Sequence, residues 1–165
     1  MGLLGRMRVK RRRFSVRPLS IDPGLFVGAQ IDEHGIEELW RAGFRSIVDL
    51  AHEGEPGQVL SSSVEASCAH TFAIDHVRLS VGSSPLATEF ERLCQLLAGL
   101  PTLIYMHSIG GERALTLGVA CVARRRGWSA DQALRELECR TTLRSDTLRR
   151  FLVQTLAAKE SFRPE

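Results

Sequence analysis

Three short apolar runs, at residues 46–50, 76–81 and 102–106, alternate with stretches of helical periodicity. This alternation restricts the folds open to the chain more than any other feature. Strands separated by helices pair in parallel, and a parallel sheet is buried by helices on both faces. Residues 32–42 place Ile36, Leu39 and Trp40 on one stripe, with Gly43 where a helix ends. Ser84 and Pro85 open a helix carrying Leu86, Phe90, Leu93, Leu96 and Leu97. Helix 113–126 stops at Gly127, Ser129 to Gln132 is a capping box for a helix reaching Cys139, and residues 146–158 carry Leu148, Phe151, Leu152 and Leu156. Residues 21–28 read as a turn feeding a short strand, 51–63 as a loop, and 64–75 as either a helix or an irregular crossing. The expectation is one α/β domain, residues 18–160, with about four mainly parallel strands and helices on both faces.

The length of 165 residues suits one core, and 44% hydrophobic with 25% charged residues excludes a disordered or fibrous chain. The most apolar stretch, 114–123, is half of the roughly 20 residues a membrane span needs. Residues 1–5 are too short for a secretory signal, and Arg6 stands where a myristoylation signal wants Ser or Thr. Cys68, Cys94, Cys121 and Cys139 contain no CxxC, so four reduced thiols in a cytoplasmic protein are expected. Residues 1–17 hold seven basic side chains and no acid; the whole chain is +3, which leaves the remainder at −4. This segment reads as a solvated arm, with weak contact to polyanions as its alternative role.

Chemistry concentrates in the strand at 102–106, the loop His107-Ser108-Ile109-Gly110-Gly111-Glu112 and the helix opened by Arg113. Ligands of parallel sheets bind beyond the C-terminal strand ends. A glycine-rich turn into a helix N-terminus aims unpaired N–H groups at one point, where the helix dipole adds about half a positive charge. Arg113 can add a guanidinium contact. The segment therefore suits phosphate, with Ser108, Ile109, Gly110, Gly111, Glu112 and Arg113 as the binding residues. A Walker loop is excluded because no Gly-Lys-Ser/Thr follows. His34, His52, His70 and His76 show no metal spacing, and neither a metal nor another cofactor is expected.

Strand–HCxxGxxR–helix is the signature of the cysteine-dependent tyrosine and dual-specificity phosphatases, and residues 20–155 resemble that family in the order of their elements. The segment from Arg140 to Leu152 resembles the part of the family that packs behind the loop. The resemblance implies a loop and arginine that hold a phosphoryl group, a cysteine thiolate that attacks phosphorus and an aspartate that protonates the leaving oxygen.

This chain departs from the pattern at the nucleophile and in the other working parts. Spacing back from Arg113 puts Gly110 on the motif glycine and His107 on the nucleophile, whereas taking His107 as the motif histidine leaves one residue too few. A cysteine between His107 and Ser108 would complete HCxxGxxR. Ala114 stands where the family commonly has Ser or Thr, and the expected acid loop, Gly82-Ser83-Ser84, has no carboxylate. Asp75 reads as an ordinary loop aspartate. The reading is a degenerate member, a pseudophosphatase that binds phosphate, as a phosphorylated protein or a small phosphate ester, without turnover. The alternative is an active phosphomonoesterase using His107, Ser108, or a cysteine or selenocysteine missing from the sequence. A His107–Ser108 dyad is disfavoured, because neighbours on an extended chain point to opposite sides. Glu112 reads as bracing the loop rather than repelling the anion, Asp49 as a candidate to orient Arg113, and His52 as a lesser candidate lining the crevice.

Overall fold

The computed structural model describes residues 16–82, 85–140 and 146–160. Their elements run β1 (Leu19–Asp22), β2 (Leu25–Ala29), α1 (Glu33–Arg41), β3 (Ser46–Asp49), α2 (Ser62–Thr71), β4 (Asp75–Arg78), α3 (Ala87–Gly99), β5 (Ile104–Ser108), α4 (Glu112–Arg126), α5 (Ala130–Arg140) and α6 (Asp146–Glu160). The sheet order is β1-β2-β5-β3-β4; β1 is antiparallel to β2, and the other pairs are parallel. The expected α/β architecture is present with one strand more than the sequence suggests. That strand, β1, turns onto β2 through Pro23 and Gly24, the latter at φ +84°. No helix separates the two, so no change of periodicity announces β1.

Period-two alternation distributes the sheet's side chains between two cores. Ile104 and Met106 of β5 join Val27 and Val48 against Leu93 of α3, Leu117 of α4, Leu137 of α5 and Leu152 of α6. Tyr105 and Ile47 face the other way, onto Ile36 and Leu39 of α1 and Ala69 of α2. β5 lies in the middle of the sheet, and α4, which follows it, is buried along most of its length.

The helix ends follow local chemistry. Asp32 accepts the Gly35 N–H at 2.8 Å to start α1, and Gly43 lies beyond its end at φ +92°. Ser129 and Gln132 form the reciprocal capping box of α5. Ser61 accepts the Val64 N–H, so the segment left open between helix and crossing is helical from Ser62. Helix α3 starts at Ala87, later than Ser84 and Pro85 predict, because Glu89 reaches back to the Leu86 N–H at 2.7 Å. Ser83, Ser84, residues 1–15 and residues 141–145 lie outside the described residues, and with them most of the basic arm, the expected acid loop and part of the segment behind the phosphate loop. Val16 is buried, its N–H donating to Glu38 at 3.2 Å. No helix among the described residues is long and apolar enough to cross a membrane.

Leu117 is fully buried where α4 meets the sheet. Leu117→Ala is expected to lower the unfolding free energy by about 3 kcal/mol through lost transfer energy and the cavity left behind, measured by urea denaturation.

Candidate phosphate-binding site

β5 ends two residues later than the run at 102–106 suggests. His107 pairs with Gly28 of β2 and Asp49 of β3, and Ser108 pairs with Ala29, so the ladder carries both residues. His107 and Ser108 therefore belong to the strand, which corrects the expected loop of 107–112. Only Ile109, Gly110 and Gly111 connect β5 to α4.

A polar side chain in the middle strand must find a partner. His107 follows Tyr105 toward α2 and is wholly buried, with Nε2 2.6 Å from Oε1 of Glu65. An ionised Glu65 can only accept, so Nε2 carries the proton. His76 Nε2 stands 3.4 Å from the same oxygen, and Asp49 Oδ1 lies 3.8 Å from His107 Nδ1. Burial pushes the Glu65 carboxyl up, but its bonds with His107 and His76 and the pull of their charges outweigh this and hold it at about 2, against an ordinary 4.5. Burial raises Asp49, opposed by His107 and by the Ala51 N–H that it accepts at 2.8 Å.

The sequence shows no metal spacing, yet the fold brings one ligand atom from each of Asp49, Glu65 and His107 within 4.8 Å of one another. The Glu65–His107 bond and the Ala51–Asp49 bond engage one oxygen of each carboxylate in this buried core, whereas Asp49 Oδ2, Glu65 Oε2 and His107 Nδ1 have no hydrogen-bond partner among the described residues. His107 points into that core, away from the α4 side of the sheet.

Ser108 leaves the strand on the opposite face. Its Oγ accepts the Ala114 N–H at 3.3 Å, tying the strand end to the first turn of α4. Gly111 turns the chain at φ +87°, and a Cβ there would stand 2.9 Å from the Gly28 carbonyl carbon and 3.0 Å from the Ala29 nitrogen. Only glycine fits both the conformation and the close approach. No hydrogen bond to a described residue uses the N–H of Gly110, Gly111, Glu112 or Arg113. Those amides are the unpaired start of a fifteen-residue helix.

The Arg113 side chain folds inward and is 12% exposed. Its Nη1 donates to the Leu50 carbonyl at 3.3 Å and to the Val81 carbonyl, and its Nη2 pairs with Glu55. The carbonyls lie just past β3 and β4, so the sheet itself fixes the guanidinium. Burial pushes Glu55 up, but the Arg113 and His52 contacts bring it below the usual carboxylate range.

Glu55, not Asp49, is thus the carboxylate on Arg113. Asp49 faces His107 and, at 4.0 Å, Arg78. Glu112 opens α4 half-buried and makes no hydrogen bond to a described residue, so the expected bracing bonds are not formed among them. Exposed His52 lies on the loop that carries Glu55, its N–H donating to Glu55 at 3.0 Å. Asp75 is exposed at the start of β4, the end of that strand away from the loop.

Glu55 and Glu65 escaped the sequence reading. Glu65 had one available signal: it stands four residues before Ala69, so a helix that buries one also buries the other. Glu55 had none, because its loop carries no periodicity.

A parallel sheet whose middle strand runs through a short glycine turn into a helix, with an arginine anchored beside the turn, places the chain among the dual-specificity and tyrosine phosphatase folds. It belongs to the family described as DSP-PTPase phosphatase fused to NAD+ kinase, whose profile matches residues 17–154. A rice protein (Oryza sativa subsp. japonica) named Probable NAD kinase 2, chloroplastic, is 29% identical over 86 residues, which are 51% of this chain and 9% of that protein. The chain therefore spans a small part of that relative. Among solved structures, PTPMT1 superposes with a TM-score of 0.70 at 15% identity, over 89% of this chain and all of its own. PTPMT1 in complex with PI(5)P gives 0.67 at 18% identity, covering 87% and 97%. The core catalytic domain of the PP-IP phosphatase SIW14 from S. cerevisiae gives 0.66 at 12% identity, covering 89% and 94%. At these identities the likeness is one of fold.

The Glu65 carboxyl is held lower in the folded chain than in the unfolded one, so it stabilises the fold above pH 4.5, and that contribution drains away as pH falls toward 2. Asp49, shifted the opposite way, offsets part of the loss. Urea unfolding of wild type between pH 5 and 2.5 is expected to show a decline steeper by about 2 kcal/mol than that of Glu65→Gln. Parallel profiles would refute the assignment.

Proposed function

We propose that the turn after β5 binds a phosphate monoester, carried by a phosphorylated protein or a small phosphate ester, and does not hydrolyse it. The observation that supports this most is the juxtaposition of four uncommitted amides, from Gly110 to Arg113, with a guanidinium fixed by the Leu50 and Val81 carbonyls. Amides at a helix N-terminus favour an oxyanion, and the arginine adds charge. The complex of PTPMT1 with PI(5)P supports a phosphate monoester as the class of ligand.

Three features favour binding over turnover. The side chain at the strand end is Ser108, whose hydroxyl needs a neighbouring base to attack phosphorus. His107, the adjacent base in sequence, is engaged with Glu65 on the other face of the sheet. The carboxylate on Arg113, Glu55, is kept ionised and so cannot donate a proton to a leaving oxygen. On this reading the protein is a pseudophosphatase. The basic residues of positions 1–17 add a second, weaker hold on polyanions, and the free thiols are in keeping with a reducing, cytoplasmic setting.

Calorimetric titration of inorganic phosphate and a phosphotyrosine peptide into wild type and Arg113→Ala tests the proposal. The substitution is expected to weaken binding by about tenfold or more, the value of one charge-assisted contact. A para-nitrophenyl phosphate assay is expected to show no turnover in either protein. Turnover lost on Arg113→Ala would overturn the non-catalytic reading and favour an active phosphomonoesterase. Equal and negligible binding by both proteins would remove the site altogether.

A further inference from the structure

Cys94 on α3 and Cys121 on α4 bring their sulfurs to 3.0 Å, nearer than non-bonded carbon atoms pack, at about 3.5–4.0 Å. We propose that this pair is an oxidative modification site: a dithiol that takes a hydroperoxide and closes a disulfide between α3 and α4. It is separate from the phosphate-binding turn and does not depend on the reading of that turn.

The geometry asks for little. A disulfide needs its sulfurs at about 2.05 Å, so roughly 1 Å of approach, shared between two side-chain rotations, joins them. Access is graded between the two thiols. Cys94 is half-buried and Cys121 is 8% exposed, and both line a surface cavity of about 360 Å³ with Leu97, Val122, Glu91 and Arg124. An oxidant entering the cavity meets Cys94 first. Contact with Cys121, helped by the Arg124 charge, brings the Cys94 thiol below its ordinary range, whereas that same contact and burial push Cys121 up. One sulfur is therefore suited to attack as a thiolate and the other to resolve the product.

The chemistry balances with a hydroperoxide as oxidant. The Cys94 thiolate attacks one peroxide oxygen; the O–O bond breaks, hydroxide leaves and a sulfenic acid forms. The Cys121 sulfur then attacks the sulfenic sulfur; the S–S bond forms, the S–OH bond breaks and water leaves with the Cys121 proton. The leaving hydroxide takes up the proton that Cys94 gave up as a thiol, so overall the two thiols lose two electrons and hydrogen peroxide is reduced to two waters, an organic hydroperoxide giving an alcohol and one water.

Neither remaining cysteine is placed for this. Cys68 packs half-buried against the core on the α1–α2 side, where burial raises its thiol, and Cys139 is exposed on α5; no second sulfur among the described residues touches either. Between Cys94 and Cys121 the chain contains β5, the turn and Arg113, so the bridge encloses the phosphate-binding segment.

The test exposes the full chain to hydrogen peroxide in slight excess, then measures intact mass and maps tryptic peptides without reduction. The expected result is a loss of about 2 Da, two of the four thiols consumed, and a linkage between the peptides carrying Cys94 and Cys121, which trypsin separates at Arg113. Dithiothreitol should restore all four thiols, and Cys94→Ser should lose the 2 Da change. A Cys68→Ser/Cys139→Ser double variant should retain it; the wild-type peptide map carries the test if that variant folds poorly. Sulfinic acid at Cys94 without a bridge, a bridge that maps to another pair, or four thiols surviving the oxidant would each overturn the proposal.

Discussion

The hydrogen bond between Glu65 and His107 permits the middle strand to continue to Ser108. An imidazole or a carboxylate buried alone at this depth would cost several kcal/mol, and the strand would then have to end earlier or turn its side chain outward. With the pair in place, β5 remains paired with β2 through Ser108 and with β3 through His107, and three residues suffice to turn into α4. The position of the α4 N-terminus, and so of the unpaired amides and Arg113, follows from where that strand ends.

The second anchor is the inward course of Arg113. Carbonyls just beyond β3 and β4 accept from its guanidinium, and Glu55 balances part of its charge. Arg78 is held in a similar way by the Ala51 carbonyl and Glu53, so the C-terminal edge of the sheet carries two arginines and their carboxylates within one loop region. Parallel sheets gather helix N-termini at this edge, and helix dipoles at such ends favour anions. On the proposed reading, binding would rest on backbone amides and the fixed guanidinium, and reactivity on an activated atom at the strand end, where Ser108 Oγ accepts the Ala114 N–H.

Helix α4 links this edge to the rest of the molecule. Its first turn supplies the amides, its middle is packed between the sheet and α3, α5 and α6, and Cys121 meets Cys94 more than two turns further on. Constraint applied at the thiol pair acts on the same element that carries the turn after β5.

What the sequence determined by itself is local. Capping by Asp32 and by Ser129 with Gln132, the left-handed stops at Gly43 and Gly127, and the glycine turn before Arg113 are each settled within three or four residues, and the alternation of strand and helix patterns sufficed for the parallel α/β architecture. Only the tertiary structure decided which charges meet. His107 finds Glu65 across 42 positions and Arg113 finds Glu55 across 58, and no local pattern encodes either meeting. The two-residue extension of β5 belongs to the same class: a polar residue reads as the end of a strand unless its buried partner is known, and that partner arrives only when α2 packs onto the sheet.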